Sequence, residues 1–371
     1  MIPVFEPEIG EEEIAAVVAA LRRGEISGSF GETIPAFETE FSAYVGCAHG
    51  VAVTSGTTAL HLAVAALDLP AGSEILVSAS TNIATALACY HNGCVAVPVD
   101  SEHETWNLDL DLIDSLITPR TRAVIPVHLF GHPVAMDRLM EIATRHNLVV
   151  IEDCAESHGA SWRGRMTGSF GHMACFSFYA NKVITTGEGG MVTTNDAGLS
   201  EKLRLLRNLA FGKPRFIHQV AGFQFRMTGF QAALGRAQFA KIERIIEQKR
   251  RVAHTYNQLL ADVAGIRTPP ELEGARNVYW MYAITVDPES GIGRDELARH
   301  LADNGVETRT FFCPMNMQPF LRRQAGFRDV PCPVAGQLWE RGVYLPSSCD
   351  LDESTIAKVV GLIRSAPRRV A

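Results

Sequence analysis

The chain has 371 residues, 47% of them hydrophobic and 20% charged, with a formal net charge of −7 and a pI of about 6.0. That is enough chain for one large core and a smaller one, and the acidic balance argues against a nucleic-acid partner, which a basic stripe would announce. No apolar run reaches the roughly 18 residues that a membrane-spanning helix needs, so no membrane partner is expected.

The opening segment MIPVFEPEIGEEEIAAVV carries acids where a secretory signal needs basic and then apolar residues, so a cytoplasmic protein is expected. The first two-thirds of the sequence alternates short apolar runs with helical stretches. VAVT (51–54) leads into SGTTALHLAVAALDL, EILV (74–77) into TNIATALACYHNG, VAVPV (95–99) into DLDLIDSLI, and AVIPV (123–127) into VAMDRLMEIATRHN. LVVIED (148–153), MACFSF (173–178) and GMVTT (190–194) follow. These seven candidate strands, four of them spaced by helices, predict an α/β fold with helices on both faces of a mostly parallel sheet.

A long helical stretch spans 227–263, and its charged part, KIERIIEQKRR, is expected as a solvated face. Beyond it, YWMYAITV (279–286), the helix GRDELARHLADNG and the final helix STIAKVVGLIRSA predict a smaller α+β unit. The expected division is a large domain over 1–245 and a small C-terminal domain over 246–371. The eight cysteines form no CxxC pair. They are expected as buried free thiols, with no metal site.

Open parallel sheets present ligands at the carboxyl ends of their strands, and three such ends carry chemistry. At VAVTSGTTAL a helix begins near Ser55, Gly56, Thr57 and Thr58, whose N–H groups can cradle an anion; plain capping by Ser55 or Thr57 is the alternative. At LVVIEDCAESHGA the apolar run ends in Glu152 and Asp153. A buried acid there needs a cation, either in a salt bridge or on a protonated ring nitrogen, unless it caps a helix. Glu156 and His158 follow closely and either add hydrogen bonds or face solvent. At FSFYANKVITTGEGG, Lys182 follows Phe176, Phe178 and Tyr179, and an apolar wall lowers an amine's pKa and makes it a nucleophile or base. The alternative is a lysine that brackets the turn at Gly187–Gly190. An anion pocket, a carboxylate for a ring nitrogen and a lysine together match the needs of pyridoxal 5′-phosphate (PLP).

On these residues the chain resembles the sugar aminotransferase family of fold type I PLP enzymes, often called the DegT/StrS family. The matching segments are TSGTTALHLA, ETWNLDLDLIDSLITPRTRAVIPVHLFGHP, VIEDCAESHGA, GSFG, FSFYANKVITTGEGGMVTTND and FRMTGFQAALGRAQ. Within the family it is most similar to the GDP-perosamine synthase branch, which aminates GDP-4-keto-6-deoxymannose. The resemblance implies that Lys182 bonds the cofactor as a Schiff base and shuttles the substrate proton. Asp153 would hold the pyridine nitrogen protonated, Glu156 would meet the phenolic oxygen, and Gly56, Thr57 and Ser177 would bind the phosphate. It also implies an L-glutamate donor, a nucleotide-linked keto-deoxy sugar acceptor, and a homodimer whose sites are shared through the loop from His218 to Arg226. Glu188 and Arg309 are weaker candidates for substrate contacts.

Four positions depart from the family pattern. Asn82 stands where an aromatic usually stacks on the cofactor ring. Gln224 replaces an asparagine that reaches the partner's phosphate. Cys313 stands for a histidine of the perosamine branch, and His172 for an aspartate. These departures leave open a different keto sugar, a cyclitol or another cyclic ketone. A related branch with histidine at the lysine position dehydrates its sugar, and Lys182 favours amination over that. A non-catalytic regulator is the least favoured reading.

Overall fold

The computed structural model describes residues 1–214, 216–287 and 290–367. All seven expected strands form: β1 His49–Val53, β2 Glu74–Ser78, β3 Val95–Val99, β4 Thr121–Ile125, β5 Val149–Asp153, β6 Met173–Ser177 and β7 Gly190–Thr194. They make one sheet of order β1-β7-β6-β5-β4-β2-β3. β7 runs antiparallel to both of its neighbours, and the other pairings are parallel. Strand alternation sends neighbouring side chains to opposite faces. Ile75 and Val77 pack with Leu60, Leu62 and Ala86 on one face, while Leu76 packs with Val97, Val124 and Leu139 on the other.

A second, antiparallel sheet is built from β8 Ile266–Arg267, β9 Tyr282–Val286, β10 Arg309–Thr310 and β11 Gly342–Leu345, in the order β8-β9-β11-β10. The helices Arg294–Asp303 and Glu353–Ser365 cover it. The helix Ile242–Leu260 joins the two units. Its Ile242, Ile245 and Ile246 pack in the core of the first, and its Val252, Ala253 and Tyr256 in the core of the second. Residue 245, the expected end of the large domain, lies inside this helix.

The charged run 241–251 departs from its expected solvated character at one position. Lys249 is fully buried and donates to the Ser347 carbonyl at 2.8 Å. It sits three and four residues from Val252, Ile246 and Ile245, on the apolar stripe of the helix, and burial pulls its pKa down to about 8. Glu243, Arg244 and Glu247 on the opposite face are exposed. Of the eight cysteines, all are free and seven are buried, Cys313 being the partly exposed one.

The two acids that end β5 separate by the same alternation. Glu152 is fully buried and accepts from the N–H groups of Gly168 (2.8 Å), Phe170 (2.8 Å) and Gly171 (2.7 Å). His128 approaches it at 3.1 Å through Nε2. Because the Val134 N–H donates to His128 Nδ1, Nε2 carries the proton. Glu152 is therefore satisfied mainly by backbone donors rather than by a permanent cation, and it fixes the turn 168–171 against the sheet. Glu152→Ala leaves the buried Gly168 N–H and the half-buried Phe170 and Gly171 N–H groups without their acceptor, and a loss of roughly 3 kcal/mol in urea unfolding is expected. A loss under about 1 kcal/mol would remove Glu152 from this role.

Candidate active site

A cavity of about 600 Å³ opens at the carboxyl ends of β1, β2, β5 and β6, with the second sheet closing its far side. At the end of β1, Ser55 accepts from the Thr58 N–H (3.1 Å) and donates its own N–H to the Thr58 hydroxyl (2.9 Å). This reciprocal cap uses Ser55 and Thr58 and leaves the first-turn N–H groups of Gly56 and Thr57 without a capping partner, at the mouth of the helix Gly56–Ala66. Both residues line the cavity. A Cβ on Gly56 would lie 2.6 Å from Ser177 Cβ, so glycine alone lets the helix start and the end of β6 approach this closely. The result is a cradle of N–H and hydroxyl groups at the positive end of a helix, the arrangement that binds phosphate.

Asp153, one residue on from Glu152, faces the cavity. Its carboxylate accepts from the Thr85 hydroxyl (2.9 Å) and the Ala155 N–H (3.1 Å). Burial raises its pKa, and these hydrogen bonds with the charge of Lys182 pull it partly back. A buried acid held in this way gains from a cation placed beside it. Glu156, on the turn after β5, accepts from the Phe130 N–H at 2.8 Å. Burial pushes its pKa up to about 7 against the attraction of Lys182.

Lys182 stands on the half-buried cavity floor, five residues past the end of β6. Its backbone N–H bonds to the Tyr179 carbonyl at 2.9 Å, and the loop closes through Phe178 N–H to the Gly189 carbonyl at 2.8 Å. Burial lowers the pKa of the amine, with Glu156 and then Asp153 opposing. Nζ lies 3.8 Å from the centre of the Trp280 ring. The apolar wall expected from Phe176 and Phe178 is present but lies behind the loop, where both rings pack with Phe41 and His158. His158 is completely buried there, and burial pushes its pKa down to about 3, so it is neutral.

Asn82, Ser177, Glu188 and Arg309 also line the cavity. The Asn82 carbonyl oxygen accepts from the Ala84 N–H at 3.0 Å, and Asn82 lies one residue before the N-cap Ile83 of the helix Ala84–His91. Arg309 is bonded to Glu307 at 2.7 Å. His218, Gln224, Arg226 and Cys313 are not brought to the cavity within one chain. His218 donates to the Leu209 carbonyl, Gln224 is exposed and bridged to Asn208, and the Arg226 guanidinium donates to the Asn208 side chain. The outward-facing His172 accepts from the Val150 N–H at 3.0 Å, away from the cavity.

Three contributors escaped the sequence reading: Thr85 on Asp153, the Phe130 N–H on Glu156, and Trp280 on Lys182. The Phe130 donor had a local signal in HLFGHP. Gly131, at φ +98°, reverses the chain there, and Phe130 itself lies at φ +54°.

These surroundings suit PLP: an anion cradle, an acid raised by burial, and an amine without an ion pair among the described residues, grouped at the carboxyl edge of a mostly parallel sheet. They define a fold type I PLP-dependent transaminase. The chain belongs to the DegT/DnrJ/EryC1/StrS aminotransferase family, whose model matches residues 7–364. It is 39% identical to a GDP-perosamine synthase of Caulobacter vibrioides over 98% of this chain and 97% of that one. It is 34% identical to the dTDP-3-amino-3,4,6-trideoxy-alpha-D-glucose transaminase of Streptomyces venezuelae, over 100% and 97%. A crystal structure of S. venezuelae DesV in complex with a ketimine intermediate superposes with a TM-score of 0.90 at 35% identity, covering 97% of this chain and 95% of that one. The protein is thus a PLP-dependent sugar aminotransferase of amino-sugar biosynthesis.

The raised pKa of Glu156 has a sign that can be tested in the cofactor-free protein. The folded state keeps a proton on Glu156 up to about pH 7, whereas the unfolded chain releases it at the ordinary carboxyl pKa. The ionised form therefore costs stability above pH 7, and the cost fades as pH falls toward 5. Glu156→Gln, which retains an acceptor for the Phe130 N–H, is expected to gain on the parent by on the order of 2 kcal/mol between pH 5 and pH 8, with the difference vanishing only below the unfolded carboxyl pKa. Denaturant unfolding at the two pH values measures this, and a pH-independent difference would contradict it.

Proposed function

We propose that the enzyme moves an amino group from L-glutamate to a nucleotide-linked keto-deoxy sugar such as GDP-4-keto-6-deoxymannose, and that it works as a homodimer with shared active sites. The observation that carries the reading is the half-buried Lys182 amine, without an ion pair among the described residues, in a cavity large enough for cofactor and sugar together. The relatives named GDP-perosamine synthases favour a GDP-linked acceptor.

When bound, PLP supplies the electron sink that lets an amino group be stored between two half-reactions. Gly56, Thr57 and Ser177 would hold its phosphate, Asp153 the proton on its ring nitrogen, and Glu156 its phenolic edge. Lys182 is the covalent anchor and, once freed, the base. Its lowered pKa favours the uncharged amine, which can take the proton from the carbon of the donor and return one to the carbon of the sugar. The closed floor of Val127, Trp280 and Tyr344 limits water at those atoms.

Visible absorbance of the pure protein with PLP tests the first half-reaction. The band of the lysine-bound cofactor should form in the wild type, disappear on addition of L-glutamate, and never form in Lys182→Ala. Added GDP-4-keto-6-deoxymannose should then restore the band and give a product in which the keto oxygen is replaced by hydrogen and an amino group, as read by mass spectrometry. A band that L-glutamate leaves unchanged rules out this donor, and a restored band without that product rules out this acceptor.

A further inference from the structure

We propose that Trp280 is a positioning residue for Lys182: its indole face is the resting place of the lysine ammonium whenever the amine is not bonded to the cofactor, and it keeps the nitrogen within reach of the substrate carbon. The inference rests on the cofactor assignment and not on which keto sugar is aminated.

Three features of the geometry carry it. First, the Lys182 amine forms no ion pair and no hydrogen bond among the described residues, and its nearest partner is the Trp280 ring, 3.8 Å from Nζ to centroid. Second, the nearby acids are occupied elsewhere: Asp153 by Thr85 and Ala155, and Glu156 by the Phe130 N–H. Third, the ring is immobilised. It is 4% exposed, its indole N–H donates to the carbonyl of Asn181 at 2.7 Å, and its backbone N–H donates to the Phe130 carbonyl at 2.9 Å. Asn181 immediately precedes Lys182, so the platform and the backbone of the lysine are tied together.

The reaction asks the amine to alternate between bonded and free, and to lose and regain a proton at each turnover. A buried carboxylate partner would favour the charged form strongly and would have to be broken each time. A free lysine with no partner would disperse over its rotamers or swing out to water. An aromatic face attracts the ammonium electrostatically but more weakly than a carboxylate in the same setting. It orients the nitrogen and still lets it discharge.

Among the described residues, the other ionisable groups of the cavity are Asp153 and Glu156 from the end of β5, Glu188 before β7, the Glu307–Arg309 pair at β10, Tyr179 of the lysine's own loop and Tyr344 of β11, with the neutral His158 behind and Glu8, Lys249 and Cys349 around a small adjoining cavity that Lys182 also lines. All stay constant when position 280 alone is changed. A series of mono-, di- and trifluorotryptophans placed at 280 by suppression keeps the shape of the ring while draining the negative charge from its face. The readout is the pH dependence of the rate at which cofactor-free protein captures PLP, since only the uncharged amine attacks the aldehyde. The midpoint should fall stepwise with fluorination, by about one pH unit in total. Trp280→Leu should lower it as well, with Trp280→Phe intermediate. Turnover with saturating sugar should fall along the series while KM for the sugar holds. Capture by the wild type, lost in Lys182→Ala, checks the cofactor reading separately. A flat midpoint and unchanged turnover across the series, in protein that captures PLP normally, overturns the role of Trp280 and leaves the transaminase reading standing.

Discussion

The site depends on three ionisable groups removed from water within one cavity: the ammonium of Lys182 and the carboxyls of Asp153 and Glu156. Each shifts in the direction that sheds charge, the lysine downward and both acids upward, and burial is the leading cause in all three. Bringing unpaired charges out of water costs several kcal/mol apiece, and the fold tolerates it because each group has a partial remedy. Asp153 and Glu156 take backbone and hydroxyl donors, and the amine takes an aromatic face. None of these remedies is complete. On the proposed reading, a protonated ring nitrogen beside Asp153 would supply one missing counterpart, and cofactor binding would then relieve a cost that the protein alone retains.

Two sheets must dock for this balance to exist. The lysine, both acids and the anion cradle stand on strand ends of the large sheet, whereas Trp280 and Tyr344 come from the smaller unit. The HLFGHP turn is the clamp between them. A Cβ on Gly131 would fall 2.9 Å from the Tyr279 N and 3.0 Å from the Trp280 N, so only glycine lets the turn sit this close to the segment that carries the ring. The same turn sends the Phe130 N–H to Glu156. One reversal of the chain therefore sets the environment of a carboxyl and the position of the tryptophan that faces the amine.

What the sequence disclosed was local. Strand runs bounded by helical stretches located all seven strands of the large sheet, and the residues at their ends named Gly56, Asp153, Ser177 and Lys182, because side chains at strand ends inherit their placement from the sheet. What it concealed was a matter of long-range packing. Trp280 meets Lys182 from 98 positions away in sequence, and nothing in YWMYAITV marks its tryptophan as facing an amine. Thr85 sits inside an ordinary helical stretch until β2 and β5 lie in one sheet. Other features were written in periodicity but went unread. Period two separates Glu152 from Asp153, and the 3.6-residue stripe that buries Ile245 and Val252 also buries Lys249. Asn82 could not be placed from sequence, because its amide oxygen was free either to lie over a ring or to accept from the Ala84 N–H, and the helix start took it.

The charge balance of the cavity bears on how a nucleotide-linked substrate is held. Among the described residues that line it, the cations are Lys182 and Arg309, while Asp153, Glu156, Glu188 and Glu307 are acidic. Arg309 is already paired with Glu307, and Lys182 is committed to the reacting atoms. Among the described residues that line this mouth, a diphosphate finds no uncommitted positive charge, and an anion so placed would be repelled rather than steered. The segment carrying His218 and Arg226 lies outside the cavity of its own chain and exposes Phe216 (71%), Ile217 (54%) and Val220 (50%), a grouping of apolar and basic side chains suited to burial against another protein surface. A second copy that covers those apolar residues can carry the basic ones toward the neighbouring cavity. This supports the proposed homodimer on electrostatic grounds: the nucleotide end of the substrate needs cations that the described residues of one chain do not place at the cavity.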